Sequence, residues 1–405
     1  MDPTRIYMDH AATTPLDPRV AARMESVRGT TGLVANPSSS HPAGMAASAA
    51  VAVARDEVLA AVHAPGYHLL WTSGATEADN LAILGVARAT RRREPARDRI
   101  LVAATEHSAV LASADAAREM GFEVQRLAVG VDGQLDMEGL AGAIDQRVAL
   151  VSVAHVNSET GVIQPLEAIA SAVHEAGGRF HVDAAQGAGR LPLDLSAMGA
   201  DLVSLSAHKF YGPKGIGALC YHPDVRIEPL FHGGAQQQGL RPGTLPADLI
   251  AGMGAALALA DDESERRRLL ELRRRLRDQL VALGGVVING RDDGSPHILN
   301  VSFAGAHGAV LRDGLRDCQV SFGSACSDGG ASPVLRAMGR PDALAHAAVR
   351  FSPGRYTRVE EVDALACHVA SVVRQARAVS PVWRELLEGR PVAEVYEATT
   401  PLDVA

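Results

Sequence analysis

Short apolar runs separated by longer amphipathic stretches set the rhythm of this chain between about residue 68 and residue 222. The runs are His68-Leu69-Leu70-Trp71, Ile100-Leu101-Val102-Ala103, Ala149-Leu150-Val151-Ser152-Val153, Phe180-His181-Val182 and Leu202-Val203-Ser204-Leu205. Continuous apolar runs of this length predict strands buried on both faces. Between them apolar positions recur at helical spacing. One such stretch begins after Pro165, passes through Leu166, Ile169 and Val173, and meets a stop signal at Gly177-Gly178. Strands alternating with helices predict an α/β fold with a mostly parallel sheet covered on both faces.

The pattern changes near residue 260. Asp261-Asp262-Glu263-Ser264-Glu265 supplies helix-starting acids, and Leu269, Leu272, Leu276 and Leu280 form a stripe among arginines. Strand-like runs follow at Val286-Val287-Ile288, Ile298-Leu299-Asn300-Val301, Val320-Ser321-Phe322 and Ala348-Val349-Arg350-Phe351. The expected division is a large α/β domain over residues 16–261 and a smaller α+β domain over residues 262–405, with residues 1–15 packing onto the smaller one. Arg266-Arg267-Arg268 and Arg273-Arg274-Arg275 interleave with the leucine stripe and read as a solvated helix face. Arg91-Arg92-Arg93 reads either as another such face or as a docking patch.

Composition narrows the functional classes. At 405 residues, 47% hydrophobic and 21% charged, the chain can bury a large core. A net charge of −8 gives no global attraction to a phosphate backbone, so no direct nucleic-acid partner is expected. No stretch approaches the roughly 20 apolar residues of a membrane span. The start, Met1-Asp2-Pro3-Thr4-Arg5, lacks the layout of a signal peptide, which leads to the expectation of a cytoplasmic protein. Four cysteines, none in a Cys-x-x-Cys pair, argue against a disulfide framework or a zinc site.

Lysine usage is more pointed. Of 39 lysines and arginines, only Lys209 and Lys214 are lysines. Arginine replaces lysine as a solvated charge, but not as an amine that sheds its proton and attacks a carbonyl. Two lysines five positions apart therefore suggest lysine chemistry. Thr72-Ser73-Gly74-Ala75-Thr76-Glu77 follows a predicted strand and opens a helix, a place where backbone amides can hold a phosphate or simply make a turn. Asp183 ends one predicted strand and Lys209 follows the next, about one strand–helix–strand repeat later, so both can face one pocket. A phosphate cradle, a carboxylate and an amine suit pyridoxal 5'-phosphate, which takes a lysine and an acidic partner for its ring nitrogen. Cys326 lies in the small, polar run Gly323-Ser324-Ala325-Cys326-Ser327-Asp328-Gly329-Gly330, where a thiol is accessible and can act as a nucleophile. Cys220, Cys318 and Cys367 read as small buried hydrophobes.

These residues resemble the cysteine desulfurases of the NifS/IscS type, which are fold-type I pyridoxal-phosphate enzymes of the class V aminotransferase family. The resemblance runs from Tyr7-Met8-Asp9-His10-Ala11-Ala12-Thr13-Thr14-Pro15 to Ser380-Pro381-Val382-Trp383. It includes Asn36-Pro37-Ser38-Ser39, Glu106-His107, His155-Val156-Asn157, His181-Val182-Asp183, Ser206-Ala207-His208-Lys209-Phe210-Tyr211-Gly212-Pro213-Lys214-Gly215, Arg241-Pro242-Gly243-Thr244, Gly323-Ser324-Ala325-Cys326 and Arg350-Phe351-Ser352.

The resemblance implies a large domain with a mostly parallel sheet, a smaller C-terminal domain carrying the cysteine loop, and a homodimer. It implies that Lys209 holds the cofactor covalently and shuttles the substrate α-proton, and that Asp183 pairs with the ring nitrogen. His107 would stack on the ring and assist deprotonation of the substrate thiol. Gln186 and Asn157 would bond the ring hydroxyl and its surroundings. Ala75, Thr76, Ser206 and His208 would hold the phosphate, with Thr244 reaching it from the other subunit. Arg350, with Asn36 nearby, would hold the carboxylate of L-cysteine. Cys326 would take the sulfur as a persulfide, release alanine, and pass the sulfur to an acceptor protein serving iron–sulfur assembly or tRNA or DNA thiolation. A selenocysteine lyase or related lyase, and a low-activity scaffold subunit, are the alternatives. Two departures stand out. The segment from Cys326 to Val334 is shorter than the resemblance leads one to expect, although about ten residues still span roughly 30 Å when extended. Gln236-Gln237-Gln238 also stands where charged residues are expected.

Overall fold

The computed structural model describes residues 6–29, 35–260, 262–322 and 330–404. Seven strands form the larger sheet: β1 (His68–Thr72), β2 (Arg99–Ala103), β3 (Glu123–Leu127), β4 (Val148–Ala154), β5 (Arg179–Asp183), β6 (Leu202–Ser206) and β7 (Gly217–Tyr221). Their spatial order is β1-β7-β6-β5-β4-β2-β3. Every neighbouring pair is parallel except those made by β7, which runs antiparallel to both β1 and β6. The α/β fold with a mostly parallel sheet is thus borne out.

Burial explains which strands announce themselves in the sequence. β5 and β6 are buried almost end to end, and β4 is buried at all but its last residue. One face packs a core that includes Trp71, Phe180 and Phe210, and the other packs Leu81, Ile100 and Leu150. β3 lies at the sheet edge with Glu123 and Arg126 exposed, so its sequence shows no continuous apolar run.

The second sheet contains β8 (Val286–Ile288), β9 (Leu299–Phe303) and β10 (Ala348–Phe351), antiparallel in the order β10-β9-β8. The helices Glu263–Val281 and Val359–Ala378 share a core with it through Leu272, Leu276, Val362 and Leu365. Asp262 caps the first of these helices by accepting from the amides of Ser264 and Glu265. The run at 320–322 is not a strand. It contributes one bridge, Ser321 with Arg350, because Gln319 turns the chain in the left-handed region at φ 39°.

The N-terminal segment touches both sheets. Met8 joins the second core and Asp9 bridges to Ser352. Thr14 then donates to the His208 carbonyl through both its amide and its hydroxyl, each at 2.9 Å. Among the described residues no helix is long and apolar enough to cross a membrane.

Candidate active site

A cavity of about 520 Å³ opens at the carboxyl ends of β4, β5 and β6, where open α/β sheets take their ligands. Ala154, Asp183 and Ser206, the last residues of these strands, line it. So do Ala75, Thr76, His107, Asn157, Gln186, His208, Lys209 and Arg350, each expected at the site from sequence. Two expected residues, Asn36 and Thr244, are exposed and do not line it, and a third, Cys326, lies outside the described residues. The Asn36 side chain accepts from the Ser38 amide at 2.9 Å.

One wall is built by the turn from β1 into the helix Ala75–Arg93. Gly74 is the N-cap of this helix and no side chain among the described residues caps it, so first-turn amides remain for an anion. The turn is clamped from behind. Glu77 accepts from the Ser73 amide at 2.7 Å and takes a two-pronged bond from Arg241 at 2.8 and 3.1 Å. Gly217 of β7 lies so close that a β-carbon there would stand 2.6 Å from Gly74 Cα, which no side chain tolerates. Ser206 is buried across from the turn. His208 Nδ1 lies 3.1 Å from Thr13 Oγ1. Burial, and then the charges of Lys209 and Lys214, push the His208 imidazole down to about 4 and keep it neutral at physiological pH.

The floor is acidic and buried. Asp183 Oδ1 accepts from the Ala185 amide at 2.9 Å. Burial raises its carboxyl above the usual aspartate value, while the Ala185 amide and the charges of His107 and Lys209 pull it down. Burial thus disfavours the charged carboxylate, and a cation beside it would offset that cost. Deeper still, Asp79 is fully buried, with neither carboxylate oxygen hydrogen-bonded among the described residues. Its nearest ion-pairing atom is His181 Nε2 at 3.7 Å, and that ring is held between the hydroxyls of Ser152 and Ser204 at 2.8 and 2.9 Å.

Lys209 closes the short turn Ala207–Lys209 after β6. Its Nζ donates to the carbonyls of Ala11 and Ala12 at 2.7 and 2.9 Å, and Gln186 Nε2 donates to the same Ala11 oxygen at 2.7 Å. The N-terminal segment thus holds the amine in place. Lys214 also lines the cavity but is exposed.

Hydrogen bonds limit what the remaining side chains can do. His107 caps the helix Ser108–Ala117, its Nδ1 accepting from the Ala109 amide at 3.1 Å. With Nδ1 accepting, the ring carries a proton on Nε2 and offers a donor there. Asn157 Oδ1 is taken by the amides of Glu159 and Thr160, both at 2.9 Å, and its Nδ2 donates one hydrogen to the Thr105 carbonyl at 2.9 Å, so only the second Nδ2 hydrogen can serve the cavity. Arg350, on β10, donates to the Ser158 carbonyl and to Asp9 Oδ1, both at 2.7 Å, and its buried Nε has no partner among the described residues.

The profile of the family described as aminotransferase class-V matches residues 6–365. The chain belongs to the class-V aminotransferase family. Within this family it stands with the cysteine desulfurases. It is 44% identical over 392 residues to the cysteine desulfurase IscS of Serratia proteamaculans, covering 95% of this chain and 96% of that one. Among solved structures it resembles a NifS-like protein, with a TM-score of 0.84 and 33% identity over 92% of this chain and all of the other. It also resembles a structure titled SspA in complex with cysteine, with a TM-score of 0.76 and 32% identity over 87% of this chain and all of the other.

In this class-V aminotransferase, three features escaped sequence reasoning. The Arg241–Glu77 clamp and the Arg350–Asp9 pair join residues 164 and 341 positions apart, a separation that no local pattern reveals. Asp79 did leave a signal, because it is an acid among Ala78, Leu81 and Ala82 on an otherwise apolar helix face.

Proposed function

We propose that this cavity binds pyridoxal 5'-phosphate on Lys209 and desulfurates L-cysteine, yielding L-alanine and a persulfide on Cys326. The supporting observation is convergence: an uncapped helix start, a buried carboxylate and an amine held by two carbonyls line one cavity with an arginine at its edge. The residues fit the cofactor. Ala75, Thr76, Ser206 and His208 would hold the phosphate with the first-turn amides, and Thr244 would complete the cradle from the second subunit of a homodimer. Asp183 would face the ring nitrogen, whose proton supplies the cation this carboxylate favours. Gln186 and the free N–H of Asn157 would meet the ring hydroxyl.

When bound, pyridoxal phosphate supplies an electron sink that acidifies the substrate α-carbon. Arg350 holds the substrate carboxylate, with Asp9 and the Ser158 carbonyl fixing the guanidinium plane. Lys209 Nζ takes the α-proton and returns it. His107 donates from Nε2 and can accept the substrate thiol proton at Nδ1 only by releasing the Ala109 amide. The Cys326 thiolate then attacks the substrate sulfur. The S–S bond forms as the C–S bond breaks, and the carbon keeps that electron pair and is protonated to give alanine. The persulfide passes to a sulfur-acceptor protein of the cytoplasm. Residues 16–261 would form the cofactor-binding unit, and residues 262–405 the unit carrying the cysteine.

Incubation of the purified protein with L-cysteine and a reductant tests this reading. Alanine and sulfide are expected in equal amounts, and Cys326→Ala should abolish both. Alanine formation that survives in Cys326→Ala contradicts the assigned nucleophile.

A further inference from the structure

Two residues after Lys209, the chain passes through a conformation that bulky side chains avoid. Tyr211 is buried and sits in the left-handed region at φ 66°. Its amide donates to Thr14 Oγ1 at 2.7 Å and its carbonyl accepts from the Asp17 amide at 3.0 Å, so the unusual backbone is held from both sides. Two guanidinium groups lie over the ring, with Arg190 Cζ 4.7 Å and Arg355 Cζ 4.3 Å from its centroid. The hydroxyl oxygen takes N–H bonds from Arg190, at 3.1 Å, and from the Arg355 amide.

The two arginines come from different parts of the fold. Arg190 follows β5 of the larger sheet, and its second nitrogen donates to the backbone carbonyl of Lys209 at 3.2 Å. Arg355 follows β10 of the smaller sheet, five residues after Arg350. Glu265 joins them, at 3.5 Å from Arg190 and 2.7 Å from Arg355, and Asp17 of the N-terminal segment pairs with Arg355 at 2.6 Å. The Lys209 backbone and the strand carrying Arg350 therefore meet at one tyrosine.

We propose that Tyr211 is a positioning residue. Clamped by Arg190 and Arg355, it fixes the backbone that aims Lys209 and ties that aim to the placement of the small sheet bearing Arg350. The inference rests on Lys209 being the cofactor lysine, as proposed above. Its physical content is directional. Loosening the clamp leaves the cavity lining intact but lets the Lys209 carbonyl, and with it the amine, leave the geometry set by Ala11 and Ala12.

The test uses Tyr211→Phe, which keeps the ring beside the two guanidinium groups and removes the oxygen that accepts from the Arg190 guanidinium and the Arg355 amide. Two readouts apply, neither of them turnover. In the holoenzyme, the pH midpoint of the bound cofactor's visible band should shift by about half a unit or more. In apo-protein mixed with pyridoxal phosphate and quenched with borohydride at intervals, peptide mapping should show Lys209 labelled roughly fivefold more slowly, the effect of losing one net hydrogen bond. Arg355→Lys keeps the charge for Asp17 and Glu265 but loses the flat stack on the ring. It should move both readouts the same way, and it decides the matter if Tyr211→Phe does not fold. An unmoved midpoint with an unchanged labelling rate in a folded variant overturns the inference. A wild type that never labels at Lys209 removes the functional reading beneath it and the inference as well, so the two failures are told apart.

Discussion

Arg350 and Asp9 form an ion pair at 2.7 Å across 341 residues of chain. The same guanidinium donates to the Ser158 carbonyl at 2.7 Å, so two acceptors fix its plane before any substrate arrives. Preorganisation of this kind lowers the cost of capturing a carboxylate.

Substitution of either partner should separate binding from turnover. Arg350→Gln is expected to raise KM for L-cysteine by roughly 10- to 100-fold, the worth of a charge-assisted bond, with a smaller change in kcat. Asp9→Asn keeps an acceptor for the guanidinium and should raise KM by less than about tenfold. Steady-state kinetics with alanine detection checks both, and equal KM in Arg350→Gln and wild type contradicts the assignment.

His107 combines a structural and a chemical task that two substitutions can divide. Asparagine retains a side-chain oxygen for the Ala109 amide, so His107→Asn should unfold at nearly the wild-type temperature. His107→Ala loses the helix cap and should cost about 1 kcal/mol. Both lose the ring, and both should fall roughly 100-fold in kcat/KM. Melting curves and rates on the same preparations check this. Wild-type turnover in His107→Asn would mean the ring does no chemistry.

Buried histidines should make the fold acid-sensitive. Burial lowers His10 and His155 from 6.5 to about 4, and His181 to about 3. Below pH 6.5 these rings take up protons in the unfolded chain but not in the folded one, so their contribution to stability is full above this value and falls as the pH drops toward 4. Each group contributes up to about 1.4 kcal/mol per pH unit. Urea unfolding from pH 8 to pH 4 should show a decline that begins near 6.5. His181→Gln should flatten it, whereas a profile level down to pH 4.5 contradicts the neutral buried rings.

Much of this architecture is visible in the residues because both faces of the sheet are covered. The runs at 100–103, 149–153 and 202–205 are apolar except for Ser152 and Ser204, and each became an interior strand. β3 was hidden because this edge strand keeps only Val124 and Leu127 buried and shows no apolar run, and the run at 320–322 misled because the backbone turn at Gln319 follows no compositional rule. Lys209, Asp183 and the turn at 72–77 were legible because strand ends bring chemistry together at predictable spacing. Asp9, Arg241 and Tyr211 were not, since their partners are fixed by tertiary packing. Thr244 is exposed and does not line the cavity of its own chain.

The account depends most directly on which amine carries the cofactor. Lys209 and Lys214 line the same cavity, yet only Lys209 Nζ is described donating to the Ala11 and Ala12 carbonyls. Borohydride reduction of the holoenzyme followed by peptide mass mapping should place the pyridoxyl label on Lys209, and Lys209→Ala should carry none. A label on Lys214, or on neither lysine, contradicts the account.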